Sequence, residues 1–229
     1  MTDTGYLLSY VRYGDNDAIL HCFTKEAGFQ SLFMRGIYSP KNKKKAYLVP
    51  LNELTFVKSD FRKTSKIQNI SKIEQIKMLD CHTDMRASAV IFFIAEFLHQ
   101  VLANEMKQSH IYRAVDEFLN QIEKQNYQAH FIFLVEFLKI QGVAPLFGNG
   151  KYLDPENGCF DLEICHNLFN EEVSALWKDL ISEEEIYNIK IKNTLKEDFL
   201  DSVLLYYYHH FPNFREPKSL EVLRQVFSN

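Results

Sequence analysis

The amino-acid sequence is poor in the residues and patterns that mark several large classes of protein. Its four cysteines form no CxxC pair, so nothing indicates a disulfide framework. Only 8 glycines and 6 prolines, together with 46% hydrophobic residues, argue against a disordered chain. The longest apolar runs, such as residues 87–98, are too short and too interrupted to span a bilayer. Because the first five residues are polar and do not resemble a secretion signal, we expect a cytoplasmic protein without membrane contact.

Motifs of the common enzyme classes are also missing. The sequence contains no phosphate-binding loop, no dinucleotide-binding glycine fingerprint, no nucleophile elbow and no HExxH helix. Cys159, Cys165 and His166 lie in one segment, but their spacing does not match a paired zinc knuckle. We therefore expect no enzymatic activity, no cofactor, no bound metal and no small-molecule substrate.

Charge is divided unevenly along the chain, whose net charge is −4. Residues 1–77 contain 13 Lys and Arg against 7 Asp and Glu, a net charge of +6. Residues 78–229 contain 13 basic against 23 acidic residues, a net charge of −10. A basic segment within an acidic protein indicates contact with a polyanion, so a nucleic-acid site is expected in the N-terminal third.

The positive charge is densest in a basic loop, residues 35–45, which contains four lysines within five residues. Ammonium groups at this density repel one another unless a polyanion or solvent compensates them. The run alone is equally compatible with a solvated loop, but the strand pattern around it favours nucleic-acid binding. The candidate DNA-binding residues are Arg12, Arg35, Lys41, Lys43, Lys44, Lys45, Arg62 and Lys63. Aromatic residues interleaved with them offer a stacking surface for bases: Phe33, Tyr38, Tyr47 and Phe61.

Hydrophobic periodicity divides the chain near residue 77. Short segments rich in aromatic and β-branched residues predict five strands, at 5–13, 18–24, 28–36, 47–60 and 61–73. A tight turn joins the second strand to the third, and Gly28 can supply its positive φ. Strands at this spacing predict a small closed barrel of the OB or SH3-like kind over residues 1–77.

From about residue 80 the period becomes 3.6, which predicts a helical second domain over residues 78–229. The predicted helices are 87–102, 111–122, 127–141, 170–181, 194–211 and 220–227. Residues 145–166 contain Gly148, Gly150 and Gly158 and are predicted to be irregular. The fold class expected is α+β, with an N-terminal OB-fold β-barrel followed by an all-α helical domain.

The chain resembles the RecO family of bacterial DNA-repair proteins, which are recombination mediators. Residues 5–28 are similar to the N-terminal signature of that family, and Arg35-Gly36 with the basic loop and residues 48–51 continue the similarity. Residues 84–96 and 131–145 resemble its helical half, and residues 218–227 resemble the C-terminus of one branch.

This resemblance implies an OB-fold followed by a helical domain and a non-enzymatic role in the RecF recombination pathway. It implies binding of single- and double-stranded DNA, annealing of complementary strands, and loading of RecA onto SSB-coated DNA. The partners it implies are RecR and the C-terminal tail of SSB. Many family members carry four zinc-binding cysteines after the segment that corresponds to residues 142–145. Here only Cys159 and Cys165 remain in that stretch, at the wrong spacing, so we expect a branch without zinc.

Three other functions stay open at this point. An OB-fold RNA-binding or adaptor module would share the basic barrel but would not anneal DNA strands. A structural adaptor would need the charge only for solvation. A phosphodiester-processing enzyme would need carboxylates that converge on a metal, yet residues 1–77 offer only scattered acids, among them Asp15, Asp17, Glu26, Glu53 and Asp60.

Overall fold

A computed structural model describes residues 2–59, 67–77, 83–103, 105–183 and 185–227. Several predictions fall outside these ranges. They concern the candidate DNA-binding residues Arg62 and Lys63, the aromatic Phe61, the acidic Asp60 and the first part of the fifth predicted strand. In the described residues the strands are β1 (Thr2–Tyr13), β2 (Asp17–Thr24), β3 (Gly28–Met34), β4 (Glu53–Lys58), β5 (Ile67–Gln75), β6 (Tyr152–Asp154) and β7 (Cys159–Asp161). The helices are α1 (Met85–Val101), α2 (Ser109–Glu123), α3 (Ala129–Ile140), α4 (Glu171–Ser182), α5 (Lys196–His210) and α6 (Ser219–Phe227).

The first five strands close into a barrel in the order β1-β2-β3-β5-β4. Strand β1 pairs antiparallel with both β2 and β4, and a register shift between Leu7 and Ser9 lets one strand bend between its two partners. The barrel is closed by a parallel pairing of β3 with β5. This arrangement confirms the predicted OB-fold and the α+β class.

Alternation of buried and outward side chains along β2 helps to fill the barrel. On β2 the side chains of Ala18, Leu20 and Cys22 point inwards and are fully buried, while Ile19 and His21 point outwards. Cys22 therefore acts as a small core residue, and burial raises the pKa of its thiol far above the usual value. Period-two alternation is readable in the sequence, and the first three predicted strands overlap the observed ones closely.

The connection from β3 to β4 differs from the sequence prediction. The fourth strand was expected to begin at residue 47 but begins at Glu53, because Lys43–Tyr47 form a 3₁₀ turn and Leu51 has a φ of 57°. Ile37 and Leu48 flank this turn and are buried in the core of the barrel. The connection therefore crosses one end of the barrel, here called the mouth, and closes it with apolar side chains.

The described residues pack into two compact units, Met1–Tyr112 with Pro217–Asn229, and Arg113–Glu216. Helices α1 and α6 thus belong with the barrel. The carboxylate of Glu96 on α1 accepts hydrogen bonds from the backbone N–H groups of Lys218 and Ser219, each at 2.9 Å, and so caps the N-terminus of α6. Burial raises the pKa of Glu96, but a hydrogen bond from the Ser219 hydroxyl at 2.6 Å and the two backbone bonds outweigh it and hold the pKa below its usual value. The domain boundary placed after residue 77 stays a prediction.

In the second unit, α5 packs against α3. The hydroxyl of Tyr207 on α5 donates a hydrogen bond to the carbonyl oxygen of Leu134 on α3 at 2.7 Å. Gly142 ends α3 with a φ of 70°, as the sequence predicts. The segment expected to be irregular contains the hairpin β6–β7, with Leu153 fully buried. Strands of three residues are too short for alternation to be read from sequence, so this element was not foreseen. Among the described helices, none is long and apolar enough to cross a membrane.

We expect Gly28→Ala to destabilise the protein by about 2–4 kcal/mol, combining left-handed strain with overpacking. Gly28 has a φ of 70°, and an added Cβ would lie 2.4 Å from the carbonyl carbon of Met106. The matched control is Gly14→Ala, which shares the positive φ but has no atom within 4 Å of its Cβ, and should cost about 1 kcal/mol. Urea unfolding followed by circular dichroism measures both, and equal losses would contradict the close approach at Gly28.

Candidate nucleic-acid interface

Arg12 is held at the mouth of the barrel by an aromatic ring and a backbone carbonyl. Its guanidinium carbon lies 5.1 Å from the ring centroid of Tyr38, and Nη2 donates to the Asp15 carbonyl oxygen at 2.6 Å. Burial and the neighbouring Tyr10 raise the pKa of Tyr38, with Arg12 acting in the opposite direction. The side chain of Arg12 remains exposed, so its charge is positioned without being neutralised.

The ends of β1 and β3 meet at this mouth. The backbone N–H of Gly36 donates to Asp17 Oδ1 at 2.7 Å, and the N–H of Tyr38 donates to the Asn16 carbonyl oxygen at 2.8 Å. These bonds fix the start of the basic loop against the β1–β2 turn. Exposed Arg35 therefore lies at the same end of the barrel as Arg12.

The basic loop is ordered by its own capping residue. Asn42 accepts a hydrogen bond from the Lys44 backbone N–H at 2.9 Å and donates through Nδ2 to the Gly36 carbonyl oxygen at 3.0 Å. The 3₁₀ turn that follows leaves Lys43 and Lys45 exposed, as is Lys41 before it. Four of the predicted cations other than Arg12 thus project from a backbone that is fixed at both ends, namely Arg35, Lys41, Lys43 and Lys45.

Lys44 has a different role from its neighbours. Its Nζ donates to the carbonyl oxygen of Ile73 on β5 at 2.8 Å, and the residue is half-buried. The ammonium group therefore ties the basic loop to the wall of the barrel. Sequence reasoning grouped the lysines together because nothing in a run of identical residues indicates which one faces inwards.

The predicted aromatic residues also differ in position: two pack against the core of the barrel and one points outwards. Tyr38 and Tyr47 pack against the core of the barrel, so their rings are used in closing the mouth. Phe33 points outwards and makes an edge-to-face contact with Tyr13, with ring centroids 5.8 Å apart. Tyr13 was not among the predicted aromatics; it lies at the end of β1, where residues 10–13 are all exposed.

The residues present where the resemblance implies a zinc site, Cys159, Cys165 and His166, do not fit a metal. Desolvation by neighbouring atoms and the carboxylates of Asp154 and Asp161 raise the pKa of the exposed Cys165 thiol, which disfavours the thiolate that zinc requires. His166 is engaged as a cap, since its Nδ1 accepts the Leu168 N–H at 3.2 Å. Within the described ranges, no group of three or more His, Cys, Asp or Glu side chains is arranged to hold a metal ion.

The hairpin in this segment is held by α4 instead. Ser174 accepts a hydrogen bond from the Leu153 N–H at 3.0 Å, and Lys178 Nζ donates to the Gly150 carbonyl oxygen. The same ammonium group lies 4.8 Å from the ring centroid of Phe160 and 5.8 Å from that of Phe147. Ser174 and Lys178 thus hold the hairpin segment against α4.

The closed barrel with its ordered cationic mouth defines the class of the protein: an OB-fold protein with a helical second half. Comparison with known families gives the particular family. Residues 1–79 match the model of the recombination protein O N-terminal domain, and residues 82–149 match that of the C-terminal domain. The chain belongs to the RecO family of DNA repair proteins.

Full-length relatives agree with this assignment. The chain is similar to proteins named DNA repair protein RecO from Flavobacterium psychrophilum, at 28% identity, and Flavobacterium johnsoniae, at 25% identity, each over 97% of both chains. A protein of the same name from Christiangramia forsetii is 26% identical over 96% of both chains. The similarity therefore extends through the hairpin segment and α6, beyond the residues that the family models match.

We expect Lys44→Met to lower the free energy of unfolding by about 1 kcal/mol, because it removes the hydrogen bond to the Ile73 carbonyl oxygen. Lys43→Met carries the same change of charge at an exposed position and should leave stability within about 0.5 kcal/mol of wild type. Urea denaturation at neutral pH separates the two variants. Equal stability of both would contradict the structural role of Lys44.

We also expect the protein to keep its stability when metals are removed, because Ser174 and Lys178 hold the hairpin without one. Dialysis against EDTA should leave Tm unchanged within about 1 °C, whereas loss of a structural zinc removes several kcal/mol of folding free energy. Elemental analysis of the purified protein supplies the control. Zinc at one equivalent per chain together with a fall in Tm would contradict this expectation.

Proposed function

We propose that this chain is a non-enzymatic recombination mediator. It binds single- and double-stranded DNA, anneals complementary strands, and assists RecA loading on SSB-coated DNA. The observation that carries the proposal is the fixed cationic mouth of an OB barrel in a chain of the RecO family. Arg12 on the Tyr38 ring and the capped basic loop supply charges whose positions do not depend on a bound ligand.

The mechanism requires no bond chemistry. Phosphates that dock on the mouth release condensed counterions, and this release drives binding of any sequence. Five exposed cations of the described residues contribute: Arg12, Arg35, Lys41, Lys43 and Lys45. If each neutralises one phosphate of a single strand, log K should fall with log salt at a slope of about −3.5. Two strands held on one positive surface repel each other less, so complementary segments pair.

Three acidic side chains of the barrel unit support a non-enzymatic role. Asp17 accepts the Gly36 N–H at 2.7 Å, Glu26 pairs with Lys107 at 2.8 Å, and Glu53 accepts the Tyr112 hydroxyl at 2.7 Å. Each carboxylate thus stabilises a different junction of the fold. A phosphodiester-cleaving enzyme would instead direct such carboxylates to a shared metal ion.

The partners proposed are RecR and the C-terminal tail of SSB, and the compartment proposed is the cytoplasm, where bacterial DNA lies. These proposals follow from family membership. The negative charge of residues 78–229 supports a division of labour in which DNA contacts the barrel and proteins contact the helical half.

Annealing of two complementary fluorescent oligonucleotides, bare or coated with SSB, tests the proposal. We expect the wild type to accelerate annealing at low salt. Lys43→Glu/Lys45→Glu should abolish most of this acceleration and reduce the salt slope of DNA binding by about 1.4, or 0.7 for each lost phosphate contact. Lys44 is left intact in this variant because it supports the loop.

The matched control is Lys190→Glu/Lys192→Glu, which makes the same change of charge at two exposed lysines of the second unit. It should anneal DNA as the wild type does. A wild type that binds RNA and DNA equally and anneals neither would contradict the mediator role and favour an RNA-binding or adaptor module. Equal loss in both double variants would contradict the assignment of the site to the mouth.

A further inference from the structure

Three rings form a cluster where α1 packs on the barrel: His21 of β2, Phe29 of β3 and His99 of α1. The ring centroids of His21 and His99 are 5.0 Å apart, and that of Phe29 lies 5.9 Å from the first and 5.8 Å from the second. Phe29 is stacked on both imidazoles, with interplanar angles of 15° and 22°. Two titratable rings therefore lie together in the contact between a helix and a sheet.

The surroundings of the two imidazoles contain few charged groups. On the barrel side, His21 Nδ1 shares a hydrogen bond with the Ser31 hydroxyl at 3.0 Å. On the helix side, the carboxylate of Glu96 acts on His99, and it is already engaged in capping α6. The segment after α1, which bonds to β3, carries Glu105, whose carboxylate accepts a hydrogen bond from a glutamine side chain at 2.7 Å. The start of α6 contributes Lys218, whose charge acts on Glu96.

Protonation disfavours this arrangement of rings. Burial lowers the pKa of His21, and burial together with the neighbouring His21 lowers the pKa of His99 against the opposing effect of Glu96. Both rings are therefore neutral at neutral pH. A proton on either ring places a cation in a half-buried contact, and protons on both rings place two positive charges side by side.

We propose that His21 and His99 form a pH-sensitive latch that holds α1, and α6 with it, on the barrel. While both imidazoles are neutral, the three rings pack and the latch is closed. Once the imidazoles are protonated, repulsion between them favours an open state in which α1 is separated from β2 and β3. Glu96 couples this opening to α6, because its carboxylate caps that helix. The latch gives the fold a conformational response to acid that DNA binding does not require.

Linkage fixes the direction of the response. Imidazoles of the open state are solvated, so this state binds more protons than the closed state once the pH falls below about 6.5. The closed state keeps its full advantage above that pH and loses it as the pH falls through the lowered pKa values of the pair. Each proton taken up only on opening raises the opening constant by up to about tenfold per pH unit.

A second acid-sensitive group makes a local measurement necessary. Burial lowers the pKa of His130, in the second unit, to about 4. Protonation of His130 also favours unfolding in acid, so the stability of the whole chain does not report on the latch. Protection of the amides in α1, α6 and β4 does, because these elements all belong to the first unit and only α1 and α6 are held by the latch.

Amide hydrogen exchange, corrected for intrinsic rates, tests the latch at about pH 7.5 and about pH 5.5, above the range in which most carboxylates titrate. In the wild type we expect the protection of α1 and α6 to fall about tenfold between the two, and that of β4 to stay within about twofold. His21→Gln removes one of the two titrating rings and keeps a polar side chain beside Ser31, so the fall should shrink to less than about threefold.

The matched control is His110→Gln, which removes an exposed histidine of the same unit and should show the wild-type response. NMR titration of the imidazole signals adds a readout that needs no variant, since His21 and His99 should both titrate below about pH 6.5 in the wild type. Wild-type protein in which His99 titrates at that ordinary value, or in which α1 and β4 lose protection together, overturns the latch. An equal fall in His21→Gln and the wild type overturns it as well.

Discussion

Closure of the barrel mouth is the constraint on which the arrangement of the candidate site depends. A five-stranded barrel is sealed along its sides by strand pairing, but its end must be filled by side chains from a connection. Here the connection between β3 and β4 provides Ile37 and Leu48, both buried in the core. The lysines lie between these two anchors, so burying the anchors also fixes the backbone that carries the charge.

This coupling explains why residues of one type have unlike roles. Lys44 lies on the inner side of the 3₁₀ turn and bonds to Ile73, while Lys43 and Lys45 on its other sides remain exposed. Tyr38 packs against the core of the barrel, and the guanidinium group of Arg12 lies over its ring. A flexible loop would lose conformational entropy when it binds a polyanion. An anchored loop loses less on binding, because it is already ordered in the folded protein.

The sequence predicted the elements whose signal is local. The period of two gave the barrel strands, the period of 3.6 gave α1 to α6, and Gly28 and Gly142 adopt the positive φ expected of them. What it could not reveal depends on contacts between distant residues. The hydrogen bond from Lys44 to Ile73 spans 29 positions, and the Tyr13–Phe33 contact joins strands β1 and β3 that are not adjacent in sequence. Charge composition indicated the candidate site, but only the fold distinguishes its exposed cations from the residue that supports the loop.

The hairpin β6–β7 shows how side chains of α4 stabilise a short element of the second unit. Two strands of three residues are not stable alone. Ser174 and Lys178 are four residues apart, so they lie on one face of α4 and reach the hairpin together. A zinc site concentrates its stabilisation in a few bonds, whereas here a hydroxyl, an ammonium group and the rings of Phe147 and Phe160 share it. The stabilisation of this hairpin is therefore distributed over several contacts.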